Sequence, residues 1–256
     1  MATRQRNRLM GFALYAVLAL LVLSVGRSVV AQDWRTASHE PVGLAPSPAT
    51  TPEAVVQVYG ARTWGWRGNF GVHTWVAVKP EKADAYTVYE VIGWRLRWSD
   101  TVVAIHQRAA DARWYGSEPE LYADKRGPAA AALIPRIDAA ARSYPHAREY
   151  TAWPGPNSNT FVAWITRAVP ELGVDLPPTA IGKDYLTDTL VGAAPSGRGF
   201  QVSIAGLLAL TASGVEGIEL NLLGLTFGLN PFDPALKLPM LGRLGPARDL
   251  PRGSAD

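Results

Sequence analysis

Ser158, His73 and Glu90 are the residues of this chain whose types suit acyl transfer. Ser158 lies in PGPNSNTFVAWI, residues 154–165, where Asn157, Ser158 and Asn159 stand between a Pro-Gly-Pro turn and an apolar run. A nucleophile at a helix start gains from the partial positive charge there, which stabilises an anion on the attacking atom or a developing oxyanion. A hydroxyl attacks only when a base takes its proton, so this chemistry requires a histidine. Of His39, His73, His106 and His146, the setting of His73 in GVHTWVAV, flanked by aromatics including Trp75, is the most desolvated. His106 ends its strand beside Gln107 and Arg108 and reads as exposed. Glu90, in YTVYEVIGW, is the acid placed to orient the His73 ring and favour its charged form. Each residue also has a structural reading: a helix cap, a strand histidine and a strand carboxylate.

The elements that must position these groups are short. The runs AVVQVYGA, FGVHTWVAV, YTVYEVIGW and TVVAIH are rich in Val, Ile, Thr, Tyr and Trp and read as an antiparallel meander. Period two puts His73, Trp75 and Ala77 on one face and Val72, Thr74, Val76 and Val78 on the other. Tyr86, Val88, Glu90 and Ile92 share a face, so His73 and Glu90 approach each other if their strands pair. Gly127-Pro128 opens a helical segment that Pro135 should kink. A second helix begins near Asn159, with Phe161, Trp164, Ile165 and Ala168 at helical spacing, and must end before Pro170. After Pro178 come Gly-punctuated apolar stretches, GFQVSIAGLLAL, GIELNLLGLTFGL and PALKLPM, which read as short strands or hairpins. Periodicity leaves open whether they close over the core or rest on a membrane surface. Lys183 and Asp184, in AIGKDYL, read as solvated turn residues, and Trp64, Trp66, Trp94 and Trp98 as core or as the lining of a cleft near His73.

Composition narrows the classes. Arg4, Arg6, Arg8 and Arg27 precede or follow the uncharged run Leu9–Val25, and without them the chain, formally +3, is close to neutral. No nucleic-acid footprint remains. The run exceeds a usual signal-peptide core and sits at the short end of a membrane span, so residues 1–31 read as a basic tip and an anchor, or a signal peptide cleaved near Val29-Val30-Ala31. The positive-inside rule then puts the rest of the chain outside the cytoplasm, on the periplasmic or exterior side of the inner membrane. The absence of cysteine removes disulfides, thiolate metal sites and a cysteine nucleophile. No histidine pair has metal-ligand spacing, and no cofactor or metal is expected. The expected organisation is an anchor (1–31), a Pro-, Ala-, Ser- and Thr-rich linker (32–54), a core (55–190), a Gly-rich β section (191–247) and a tail (248–256).

The blocks RTWGWRG, VHTWVAVKP, YEVIGW, WPGPNSNTF, PPTAIGKDYL and LGLTFGL resemble an uncharacterised bacterial family, domain-of-unknown-function family 3750, from Pro52 to about Gly245. More distantly, a strand histidine followed by an Asn-nucleophile-Asn-Thr-Phe motif at a helix start is similar to the circularly permuted papain-like proteins, relatives of the NlpC-type peptidases and lecithin:retinol acyltransferases. That resemblance implies an α+β fold, an antiparallel sheet packed by two helices, with His73 and Ser158 on the histidine and cysteine positions. It implies an envelope amidase, esterase or acyltransferase acting on peptidoglycan peptide or lipid, with Ser158 as nucleophile, His73 as base, Glu90 as orienter, and Asn157, Asn159 and Trp75 around the oxyanion and cleft. Serine stands where cysteine is expected, and a hydroxyl ionises far less readily than a thiol. The competing expectation is a non-catalytic binding module on the same cleft.

Overall fold

The computed structural model describes residues 33–247 and Leu250. The run at Leu9–Val25 and most of the tail lie outside the described residues, and among those described no helix is long and apolar enough to cross a membrane.

The four expected runs become β1 (Val55–Arg62), β2 (Val72–Lys79), β3 (Thr87–Val91) and β4 (Val103–Gln107), and β5 (Pro119–Arg126), which the sequence pattern does not announce, completes a five-stranded antiparallel sheet. Its order is β4-β3-β2-β1-β5, with Val58 opposite Val76 and Val76 opposite Tyr89. Alternation divides the side chains cleanly. Val56, Val58, Val72, Val76, Val78, Tyr89 and Val91 join the helices in the larger core. Val55, Tyr59, Ala61, Trp75, Ala77 and Val88 form a second core on the reverse face.

Two helices cover the first face. α1 (Gly127–Arg142) buries Ala130, Leu133, Ile137, Ala140 and Ala141. It continues through Pro135, so the expected early kink does not end it. The carbonyl that Pro135 leaves unpaired is that of Ala131, an exposed residue where water can serve. α2 (Ser158–Ala168) buries Phe161, Val162 and Ile165 against β2 and β3. The chain is thus α+β, with two helices and antiparallel sheets.

The reverse face is roofed by chain without regular structure. Residues 108–118 cross it, and the segment expected as a free linker lies along them. Pro41 bridges Ala112, the Arg113 N–H donates to the Glu40 carbonyl (3.0 Å), and the Leu44 and Ala45 N–H groups both donate to Asp111 Oδ2 (2.6 and 3.1 Å). A Pro-rich segment suits this role because its extended backbone hydrogen-bonds without joining a ladder.

A second sheet of seven strands runs in simple sequence order: β6 (Val191–Gly192), β7 (Phe200–Ile204), β8 (Leu208–Ser213), β9 (Gly217–Leu222), β10 (Leu225–Asn230), β11 (Ala235–Leu238) and β12 (Gly242–Leu244). Tight turns join its strands; at Leu223-Gly224 both residues have positive φ (53° and 82°), the geometry of a two-residue hairpin loop.

This sheet is inverted relative to the usual rule. The residues facing the rest of the molecule are polar: Gln201, Thr211, Glu219, Asn221 and Lys237 are all 2% exposed or less. The opposite face is apolar, and register keeps it continuous. Val202 stands opposite Leu210, Leu210 opposite Leu220, and Leu220 opposite Phe227. In a parallel row Ala212 faces Ile218, Ile218 faces Leu229, and Leu229 faces Leu236.

Lys183 and Asp184, expected in solvent, belong to the buried polar layer. Lys237 Nζ donates to Glu219 Oε1 (2.7 Å), Asp175 Oδ1 (2.6 Å) and the Glu216 carbonyl (2.9 Å). Lys183 Nζ pairs with the other Glu219 oxygen, and Asp184 accepts from Gln201 (2.5 Å) and Asn221 (2.7 Å). Their partners Gln201, Glu219 and Asn221 come from strands later in the chain, which the local sequence around Lys183 and Asp184 does not reveal. Gly228 makes the Lys237–Glu219 pair possible: it lies between them across β10, where a Cβ would come within 2.9 Å of Glu219 Cγ and 3.3 Å of Lys237 Cδ.

Candidate functional site

His73 and Glu90 meet as their strand pattern suggested. β2 pairs with β3 so that Ala77 faces Val88, which puts both groups on the roofed face. His73 Nε2 donates to Glu90 Oε2 over 2.8 Å, and the two residues are 4% and 1% exposed. Two residues outside the expected set complete the cluster. His106 Nε2 donates to Glu90 Oε1 (2.7 Å), and the Arg108 guanidinium reaches both carboxylate oxygens (3.3 and 3.5 Å) while lying over the Trp75 ring. His106 was legible in principle, since β4 places it opposite Val88, on the same face as Glu90. Trp114 and Arg108 come from the roof, which has no periodicity to read.

Aromatic rings enclose the cluster. The Trp114 ring stacks on His73 with centroids 3.6 Å apart and planes 12° from parallel. Trp94 stacks in turn on Trp114 (5.9 Å), and Tyr115 meets both edge-on. Trp75 is buried and its indole N–H donates to the Ala110 carbonyl (2.7 Å). Trp94 is 40% exposed, and Trp64, Trp66 and Trp98 are exposed too, so these tryptophans are not core. A cavity of about 520 Å³, lined in part by Pro41, Pro46, Tyr86, Arg108 and Asp111, opens beside the cluster.

The charge states follow from burial against pairing. Burial works to raise the Glu90 carboxyl, but the hydrogen bonds from His106 and His73 and the nearby charge of Arg108 overcome it and hold it below the usual range. Burial pushes the His73 imidazole below its ordinary value despite Glu90. The cluster is therefore an ionised carboxylate held by hydrogen bonds from His106 and from an enclosed His73, with the charge of Arg108 beside it. His73 has the orienter expected of a base.

Ser158 is elsewhere. Thr74, the strand neighbour of His73, points to the helix-covered face, where its single hydroxyl proton is shared between Asn159 Oδ1 (2.9 Å) and, more weakly, the Ser158 carbonyl (3.3 Å). His73 and Ser158 thus lie on opposite faces of the sheet, and the expected dyad is not formed. The reason is parity: α2 packs on the valine face of β2, and His73 belongs to the other.

The helix start instead holds itself and the neighbouring loop. Asn157 Oδ1 accepts from the Asn159 and Thr160 N–H groups (2.9 and 3.3 Å), and Thr160 Oγ1 accepts from the Asn157 N–H (3.1 Å), a reciprocal cap. Asn159 Nδ2 donates to the Val72 and Ile181 carbonyls (3.0 and 2.7 Å), and Asn157 Nδ2 to those of Ala152 and Ile181 (3.1 and 3.0 Å). The three polar residues are therefore a cap and a staple. Asn157→Ala is expected to cost about 1–2 kcal/mol in urea unfolding, from the lost cap and the carbonyls left unpaired. Ser158→Ala should cost less, because Thr74 bonds the Ser158 carbonyl, which alanine keeps. A larger loss for Ser158→Ala would show that its hydroxyl carries the helix start.

Among the described residues no group of three or more His, Cys, Asp or Glu side chains is arranged to hold a metal ion. The model of a family described as "Protein of unknown function (DUF3750)" matches residues 53–185, which take in the five-stranded sheet, both helices and the Glu90 cluster. No curated protein and no solved structure matches the chain.

Proposed function

Because the chain belongs to DUF3750, a family whose description assigns no activity, we propose its function from the site: a membrane-attached, extracytoplasmic binding module that holds peptidoglycan. We further propose that its core is a permuted papain-like arrangement in which the helix start has become structural. The observation that carries this reading is the separation of His73 from Ser158 by the sheet, with Thr74 facing the helix start instead. A base without a nucleophile does not turn over an acyl substrate.

The binding surface in this reading is the open side of the Glu90 cluster. Trp94, stacked on Trp114, is 40% exposed, and the side chain of His106, bonded to Glu90, is 43% exposed. A flat, exposed indole face suits a sugar ring, whose C–H face stacks, and the His106 ring nitrogen that does not bond Glu90 can take a sugar hydroxyl. The adjoining cleft suits the attached peptide. The basic residues and apolar run of the N-terminus support the attachment, and the positive-inside rule supports a domain on the peptidoglycan side of the membrane.

Co-sedimentation of the full chain with purified peptidoglycan tests the reading. Wild type and Ser158→Ala should bind alike, and Trp94→Ala and His106→Ala should each weaken binding roughly tenfold, the loss of about 1.4 kcal/mol. A serine-reactive phosphonate should leave the chain unlabelled. Labelling that disappears in Ser158→Ala restores the hydrolase, and binding indifferent to Trp94 and His106 removes the site.

A further inference from the structure

The seven-stranded sheet presents to solvent what a soluble sheet buries. Its outward residues on β7–β11, from Phe200 to Leu236, include eleven large apolar side chains that are each 41–60% exposed. None of the outward positions on those strands carries a charge. Seven strands at the usual spacing, each about five residues long, give a face of roughly 500 Å². A continuous apolar patch above a few hundred Å² marks an interaction surface.

We propose that this face docks on the lipid bilayer, its leucine, isoleucine and phenylalanine side chains entering the headgroup–acyl boundary. Three observations select lipid over a second copy of the chain. First, the apolar character continues past the face onto the hairpin turns: Leu223 is 65% exposed at one end of the sheet and Phe232 76% at the other. Two sheets stacked face to face would leave those tips in water, whereas a bilayer surface receives face and tips together. Second, Trp153, 52% exposed, donates its indole N–H to the Leu223 carbonyl at the same tip (3.0 Å). An amphipathic ring beside an apolar tip is the pairing favoured at headgroup depth. Third, the chain before Asp33 limits where the domain can be. Residues 26–32 alone separate the apolar run from Asp33, and even fully extended they reach only about 25 Å. This last argument rests on the proposed membrane attachment.

The inversion makes the docked state coherent. The polar side chains that normally face water are turned inward, where they pair with one another and with residues 175–201. Only side chains enter the lipid; the backbone ladder and the sheet edges stay at the surface, so no unpaired N–H or C=O group need enter hydrocarbon.

The chain has no cysteine, so single labels are unambiguous. The full chain in phosphatidylglycerol–phosphatidylcholine vesicles, labelled with an environment-sensitive fluorophore at Leu220→Cys, should lose roughly half its emission to acyl-chain-brominated lipid, because the label sits at the acyl boundary. The same label at Ala132→Cys, on the exposed side of α1, should lose almost none. Equal, weak quenching at both sites overturns the proposal. A blue-shifted Leu220→Cys label that brominated lipid does not quench also overturns it, in favour of a second copy. Vesicle flotation of a Leu210→Asp, Leu220→Asp, Phe227→Asp variant separates the two claims. Flotation retained, with a Leu222→Cys label no longer quenched, supports an anchor and a docking face that act separately. Flotation of the wild type without quenching at Leu220→Cys leaves the anchor standing and refutes the docking.

Discussion

Replacing Glu219 with leucine is expected to destabilise the domain by about 3–5 kcal/mol, because it removes the carboxylate shared by two fully buried ammonium groups. Lys183 and Lys237 each keep one other carboxylate partner, Asp184 at 3.6 Å and Asp175 at 2.6 Å, but neither replaces the Glu219 bridge between them. Burial works to raise the Glu219 carboxyl, and the Lys183 and Lys237 charges more than offset it, so it stays ionised. Lys183 is likewise held positive against burial by Asp184 and Glu219. The folded carboxyl being depressed, its contribution is full above the ordinary value of 4.5 and is lost as pH falls below it. Urea titrations at pH 7 check the magnitude. Glu219→Gln should fall between wild type and Glu219→Leu, since it keeps the shape and one acceptor oxygen but loses the charge and turns an NH2 group toward the other ammonium. A cost below about 1 kcal/mol for Glu219→Leu would mean that the inward polar layer does not hold the second sheet to the first.

Glu90→Gln is the second large effect, about 2–4 kcal/mol, because one carboxylate receives two imidazoles and a guanidinium in a buried setting. Its signature is in the pH dependence. The His73 imidazole is depressed on folding, so the unfolded chain takes up a proton below the ordinary value of 6.5 and stability declines with acid from there. The Glu90 carboxyl is depressed too, so its contribution is complete above 4.5 and declines below it. Wild type should therefore lose stability in two stages between neutral pH and strong acid. Glu90→Gln should keep the histidine stage and show a smaller loss below 4.5, the part that Glu219 still supplies, from a lower starting value. An undiminished loss below 4.5 in the variant would show that Glu90 contributes nothing there.

Four of the five strands of the first sheet were legible because each announces itself by branched and aromatic residues, and alternation is local; β5, PELYADKR, has no β-branched residue and carries no such signal. The approach of His73 to Glu90 needed only that alternation and one antiparallel pairing. The relation of His73 to Ser158 needed something more, namely which face of β2 the helices cover. The pattern did hold a signal, since Val72, Thr74, Val76 and Val78 make the more uniformly branched face, and that is the face α2 buries. A motif that fixes two positions says nothing about the parity between neighbours, so His73 and Thr74 were interchangeable to it. The second sheet erred in the opposite sense. Its strands were readable from β7 to β11, but alternation does not say which side is in, and the ordinary rule that apolar residues face inward fails here. The ion network was not legible, since Asp175, Lys183, Glu219 and Lys237 are united only by the sheet that carries the last two.

The segment lying along residues 108–118 changes how weak an interaction can matter. Were residues 32–54 a free coil, a domain held by the N-terminus would explore a wide volume, and a shallow affinity for any surface would be diluted by it. With Pro41, Leu44 and Ala45 fastened to the roof, these residues add no slack to a tether. Under the proposed attachment, the effective concentration of the domain at the bilayer would reach the millimolar range or above, so an apolar face too weak to bind membranes by itself would still be occupied most of the time.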